Sequence, residues 1–227
     1  MTRVRNGIRT LEVFVKSMTS TDVFIIESLP AMDINEGRLD GKILYSQLKL
    51  MGRNPWYRYV ISLSDLGKAL NDFKKSKCRF LHFSLHGSKT EVRLAGGHSL
   101  GYAEFASLLK GYMALKRITF SACELGNKTF CESIFRENRG LHSVVAPILK
   151  LPFSQGSAFW IGYYTLLESE AYDAHKSIKR AFLDDNVLPL ARIFNTPMKY
   201  AIYRPAPSEC VEICSTKVGR TAIIKPW

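Results

Sequence analysis

The stretch KRITFSACELGN, Lys116 to Asn127, runs from an apolar segment of strand character into a turn. Ile118, Thr119 and Phe120 are β-branched or aromatic, Gly126 breaks the pattern, and Cys123 stands where the strand stops. A second stretch ends in a similar way. RFLHFSLHG, Arg79 to Gly87, closes on a histidine and a glycine. Its alternation sets Phe80, His82, Ser84 and His86 on one side and Leu81, Phe83 and Leu85 on the other. A cysteine at a strand end often only fills space, and so does a single histidine. Two such residues expected at one rim of one sheet suggest a Cys/His pair, and weigh as much as the packing reading.

Working outward, strands and helices alternate. DVFIIES (Asp22–Ser28) reads as a strand ended by Leu29-Pro30, and GRLDGKILYSQLKLMG follows with helical spacing at Leu39, Ile43, Leu44 and Leu48. WYRYVIS (Trp56–Ser62) is a second strand. A helix with Leu66, Ala69, Leu70 and Phe73 on one face follows it, and Ser64 is its expected cap. Gly96-Gly97 marks a hairpin between the two chemistry-bearing strands. After Cys123 come a short helix ended by Gly140, a strand in LHSVVAPIL, and a helix expected from Ser157 to about Phe182. The stripe of Phe159, Trp160, Tyr163, Tyr164 and Leu167 on that helix is core material. MKYAIYRP and CVEICSTKV read as strands toward a sheet edge. This order predicts an α/β fold with a mainly parallel central sheet and helices on both faces. In such sheets function gathers at the carboxyl ends of the strands, where His86 and Cys123 fall.

With 227 residues, 46% hydrophobic and 23% charged, the chain is long enough for a sizeable core. No apolar run approaches the roughly 18 residues that span a bilayer, so no membrane association is expected. The basic start, MTRVRNGIRTLEVFVKSMTS, lacks a secretory pattern. Five cysteines, an odd number, argue against a disulfide framework and for a reducing, cytoplasmic setting. Cys210 and Cys214 form one C-x-x-x-C pair with no second pair, so no metal is expected. The net charge of +12 is scattered, with KKSKCR the one dense cluster. It suits a solvated surface and the end of a helix better than a nucleic-acid site.

A thiolate is a strong nucleophile, and a neighbouring imidazole can accept or deliver the proton that acyl transfer requires. Gly87 lets a substrate carbonyl approach the backbone, and the N–H groups of Gly87 and Cys123 are placed to stabilise an oxyanion. A helix beginning just after Cys123 would favour the thiolate further.

His86-Gly87 at the end of one hydrophobic strand, a hairpin, then Ser121-Ala122-Cys123-Glu124-Leu125-Gly126 at the end of the next resembles the caspase-like cysteine peptidases, most nearly the bacterial CHAT group. The similarity extends through SVVAPIL and the aromatic-rich helix, roughly Asp22 to Phe182. It implies a three-layer caspase-like sandwich in a single domain over 1–227, with a core of about 22–182 and C-terminal strands in 183–227. It implies a cysteine endopeptidase in which Cys123 attacks the scissile carbonyl, His86 serves the leaving amine and Gly87 helps form the oxyanion hole. No cofactor is implied.

Animal caspases place their cysteine after Gln-Ala, where this chain has Ser121-Ala122. Metacaspases usually carry an acid two residues before the cysteine, and Ser121 holds that position here. Asp33 and Glu36, after the first strand, could supply an acidic substrate pocket instead, or they are solvated loop charges. Glu124 caps the following helix, contributes to substrate binding, or does neither. CHAT proteins often belong to bacterial defence or death modules. The expected partners are therefore a protein substrate and an activating protein, small signal or second copy. Two other readings compete: a binding module that keeps the fold without the activity, and a basic nucleic-acid-binding domain.

Overall fold

The computed structural model describes residues 20–168, 183–204, 210–215 and 222–224. β1 (Ser20–Ser28) is followed by the short helix α1 (Ala31–Asn35), then α2 (Asp40–Leu50), β2 (Trp56–Tyr59) and α3 (Leu63–Ser76). β3 (Cys78–Gly87) leads into the small strands β4 (Glu91–Arg93) and β5 (Ser99–Gly101), then α4 (Tyr102–Leu108) and β6 (Arg117–Ser121). α5 (Lys128–Glu137), β7 (Ser143–Pro147) and α6 (Phe153–Glu168) come next. A π-turn at Leu183–Val187 precedes α7 (Leu188–Ile193), β8 (Met198–Arg204), β9 (Cys210–Ser215) and β10 (Ala222–Ile224).

The main sheet has the order β10-β9-β8-β7-β6-β3-β1-β2 among the described residues. Its half from β2 to β7 is parallel, as the alternation of strands and helices predicts. β8, β9 and β10 extend it antiparallel, with β10 outermost. The hairpin expected at Gly96-Gly97 is β4–β5, which pairs onto the end of β3. Gly97 supplies its left-handed residue at φ 85°.

Alternation along the strands builds two cores. Leu81 and Phe83 of β3 and Ile118 and Phe120 of β6 pack under α3, α4 and α5 through Phe73, Phe105 and Phe130. Phe80 of β3, Ile25 of β1 and Val145 of β7 pack on the opposite face against Leu44 and Leu48 of α2 and the α6 aromatics Phe159, Trp160, Tyr163 and Tyr164. β3 is therefore buried on both faces until its last two residues, and only His86 and Gly87 emerge at the rim.

Some element ends differ from the sequence reading. The cap of α3 is Ser62, not Ser64, because Asp65 three residues on completes a reciprocal capping box with Ser62. α6 begins at Phe153, four residues earlier than expected, and its expected course beyond Glu168 to Phe182 lies outside the described residues. The side chains of Cys210 and Cys214 also lie outside them. No helix among the described residues is long and apolar enough to cross a membrane.

Candidate active site

β3 and β6 are parallel neighbours whose register pairs Ser84 with Ser121. Two residues further along each strand direction stand His86 and Cys123. The backbones are closely packed there: a Cβ on Gly87 would lie 2.7 Å from the Cys123 carbonyl oxygen and 2.8 Å from Leu125 Cγ. Glycine is required at this position by space alone. Gly126 is held in the same way, since a Cβ there would meet the Ala146 carbonyl oxygen at 2.5 Å. These two glycines let the turn after β6 lie flat between the ends of β3 and β7.

That turn carries the thiol. Glu124 adopts a left-handed backbone (φ 61°), and its N–H donates to the Leu149 carbonyl at 3.3 Å. A left-handed non-glycine residue costs backbone energy and marks a position that the surrounding structure dictates. The helix expected directly after Cys123 starts later, at Lys128, and its cap is Asn127, whose Oδ1 accepts from the Phe130 N–H. Glu124 is therefore not the cap. Its carboxylate stands 3.9 Å from Lys89.

Among the described thiols, Cys78 and Cys131 are buried, and burial pushes Cys131 up to about 12. Cys123 is the one that reaches the surface. Its Sγ faces the Leu151 carbonyl oxygen at 3.9 Å. His86 and Cys123 together line two recesses. The smaller, about 70 Å³, is walled by Leu85, Pro147, Leu151 and Phe153, with Ser121 among its few polar groups. The larger is an open groove of about 600 Å³ that reaches Met32, Gly87, Arg93, Glu124 and Lys150. The structure thus brings His86, Gly87, Ser121, Cys123 and Glu124 to one locality.

Asp33 and Glu36 line neither recess. Asp33, in α1, is 2% exposed and lies behind the histidine, with its Oδ2 2.7 Å from His86 Nε2. Glu36 is half-exposed and pairs with Arg38.

Two buried acids behind Ser121, Glu27 and Asp40, were not legible as a cluster. Glu27 of β1 is fully buried, and its carboxylate accepts from the Gly41 N–H at 2.8 Å, the Lys42 N–H at 3.1 Å and the Tyr57 hydroxyl at 2.6 Å. The amino-terminal N–H groups of α2 thus hold it. Asp40, the first residue of α2, makes short contacts with the hydroxyls of Ser84 and Ser121, and Ser84 also reaches Glu27 Oε1 at 2.9 Å. One hydroxyl hydrogen on Ser84 cannot serve two ionised carboxylates. A proton on Asp40 resolves the count: Asp40 donates to Ser84, Ser84 to Glu27, and Ser121 to Asp40. Burial raises Asp40 in the same sense, to about 7, against the lowering hydrogen bonds from Ser121 and Ser84. The available signals were a glutamate inside the apolar run DVFIIES and an aspartate at a helix start.

His82 is part of the core. It is buried and pushed down to about 3 by burial, with Nδ1 2.9 Å from the Thr119 hydroxyl. No cluster of three or more His, Cys, Asp or Glu side chains able to hold a metal occurs among the described residues.

No protein-family model matches the chain, and no curated protein matches it. Among solved structures it is similar to a secreted C11 cysteine protease from Bacteroides thetaiotaomicron, solved in complex with an irreversible peptide inhibitor. The TM-score is 0.53 at 6% identity, over 82% of this chain and 66% of that one. The chain therefore spans just under two thirds of that protease's length. At such identity the likeness concerns the fold: this chain has the caspase-like α/β sandwich, a mostly parallel sheet flanked by helices.

Proposed function

We propose that the chain is a caspase-like cysteine endopeptidase that uses Cys123 and His86. The observation carrying this reading is their position, two residues beyond the Ser84–Ser121 pair on adjacent parallel strands, lining the same two recesses. The Cys123 thiolate adds to the scissile carbonyl carbon, and the oxygen takes up the negative charge beside the N–H groups of Gly87 and Cys123. The intermediate collapses as the C–N bond breaks and His86 gives its proton to the leaving amine. A thioester remains on Cys123. Water, losing a proton to His86, attacks it, releases the carboxylate product and restores the thiol. No metal or organic cofactor enters these steps.

The side chain before the scissile bond enters the smaller recess. Leu85, Pro147 and Phe153 suit an aliphatic side chain, with Ser121 as its polar contact. This reading favours an uncharged side chain at that position. It gives none of Asp33, Glu36 or the protonated Asp40 the part of an acidic substrate pocket. Ser121 and Glu124 keep substrate-facing roles, one in each recess.

The His86-Gly87 and Ser121-Ala122-Cys123 motifs support a reading nearest the CHAT peptidases, as an effector of a defence or cell-death response triggered by a partner or signal.

The test is a fluorogenic peptide panel with Arg, Lys, Leu or Asp before the cleaved bond, on wild type, Cys123→Ala and His86→Ala. An irreversible thiol-directed peptide inhibitor should label wild type at Cys123 and leave His86→Ala unlabelled. Cleavage that survives Cys123→Ala would refute the reading. Absence of both cleavage and labelling, with candidate activators added, would favour a non-catalytic binding module.

A further inference from the structure

We propose that Asp33 is a positioning residue that sets the tautomer and orientation of the His86 imidazole, turning the pair into a Cys123–His86–Asp33 relay. This inference rests on the peptidase reading for its kinetic consequence, but not for its structural content.

The carboxylate is built to be ionic and fixed. Asp33 is 2% exposed, yet its Oδ2 lies 2.7 Å from His86 Nε2 and its Oδ1 3.4 Å from an Arg38 guanidinium nitrogen. Arg38 is in turn paired with Glu36. The backbone is locked around it: the Asp33 N–H donates to the Pro30 carbonyl at 3.0 Å, and the Asp33 carbonyl accepts from the Arg38 N–H at 2.8 Å. A buried carboxylate is costly unless each oxygen finds a donor, and here the donors are one arginine and one imidazole.

The histidine is gripped from a second side. The Phe153 ring stands edge-on to it at 6.1 Å between centroids, and the Arg38 guanidinium lies over that same ring at 5.7 Å. Arg38 therefore touches both groups that hold the imidazole. A carboxylate acceptor at Nε2 requires the hydrogen there, which leaves Nδ1 as the basic nitrogen for exchange with the Cys123 thiol. When the imidazole takes that proton, the Asp33 carboxylate still accepts from Nε2 and keeps the ring in place. This position explains why an acid near the rim lines neither recess.

The experiment combines kinetics with nitrogen-15 NMR of the histidine side chains, in the full chain, for wild type, Asp33→Asn and Asp33→Glu. In wild type, His86 is expected as the Nε2–H tautomer. Asp33→Asn should shift that signal toward a mixture and lower kcat by about 100-fold to 10,000-fold, with KM changed by less than about threefold. Asp33→Glu should recover at least about tenfold of the loss. An Nδ1–H tautomer in wild type, an unaltered His86 signal in Asp33→Asn, or a loss confined to KM would each overturn the proposal. Should wild type with candidate activators neither cleave peptide nor take up the inhibitor, the peptidase reading fails, and the NMR comparison still decides what Asp33 does. Should Asp33→Asn not fold, the wild-type tautomer decides it.

Discussion

Gly87 and Cys123 stand so close that one methyl group could not be placed between them: a Cβ on the glycine would lie 2.7 Å from the cysteine's carbonyl oxygen. This packing ties the two strand ends into one rim and sets the first prediction. Gly87→Ala must push the Cys123 turn away or distort β3. It should lower stability by about 1–3 kcal/mol and remove peptide cleavage together with inhibitor labelling. A thermal melt and a labelling assay check both, and an alanine variant with unchanged melting and labelling would contradict the packing.

A second prediction concerns thiol selectivity. Cys78 and Cys131 are buried, and burial raises both thiols, Cys131 to about 12. In the native protein iodoacetamide should therefore alkylate Cys123 ahead of either. Peptide mapping by mass spectrometry after brief treatment reads the order directly. Modification of Cys131 before Cys123 would mean that the core opens more readily than its packing implies.

Asp40 gives a pH prediction of definite sign. Its carboxyl ionises at an ordinary 3.8 in the unfolded chain and holds its proton to about 7 in the fold. The folded state binds that proton more tightly, so this contribution is full below pH 4, falls as pH rises toward 7, and is flat above. The change is on the order of a few kcal/mol. Asp40→Asn removes it. Denaturant unfolding at pH 5 and pH 8 should show the variant gaining on wild type at the higher pH, and an unchanged difference would refute the protonated Asp40.

His82 has the opposite slope. Its ordinary value of 6.5 falls to about 3 on burial. The unfolded chain therefore binds the proton more readily, and stability is lost as pH drops from about 6.5 toward 3. His82→Leu should be less stable than wild type at pH 7 through poorer packing and lost hydrogen bonding. It should lose less than wild type between pH 7 and pH 4. Paired unfolding curves at the two pH values measure the difference.

The sequence by itself determined the fold class and brought His86 and Cys123 to one rim. Apolar runs punctuated by turns fixed a parallel sheet with helices on both faces, because period and punctuation are local properties of the chain. His86-Gly87 and Cys123 were legible because one closes a strand and the other follows a strand by two residues, where the sequence had put its last position, and strand ends in such a sheet share a rim. The cap of α3 was misassigned between Ser62 and Ser64 because the choice turns on which serine Asp65 reaches.

Only the tertiary structure decided what the acids do. Asp33 and Glu36 are close in sequence, yet one is sealed behind His86 and the other pairs with Arg38 at the surface. Glu27 and Asp40 meet Ser84 and Ser121 across three strands and a helix start, a convergence that no spacing along the chain encodes. A charged side chain is placed by the partners that offset its desolvation, and those partners are chosen by the packing of distant segments.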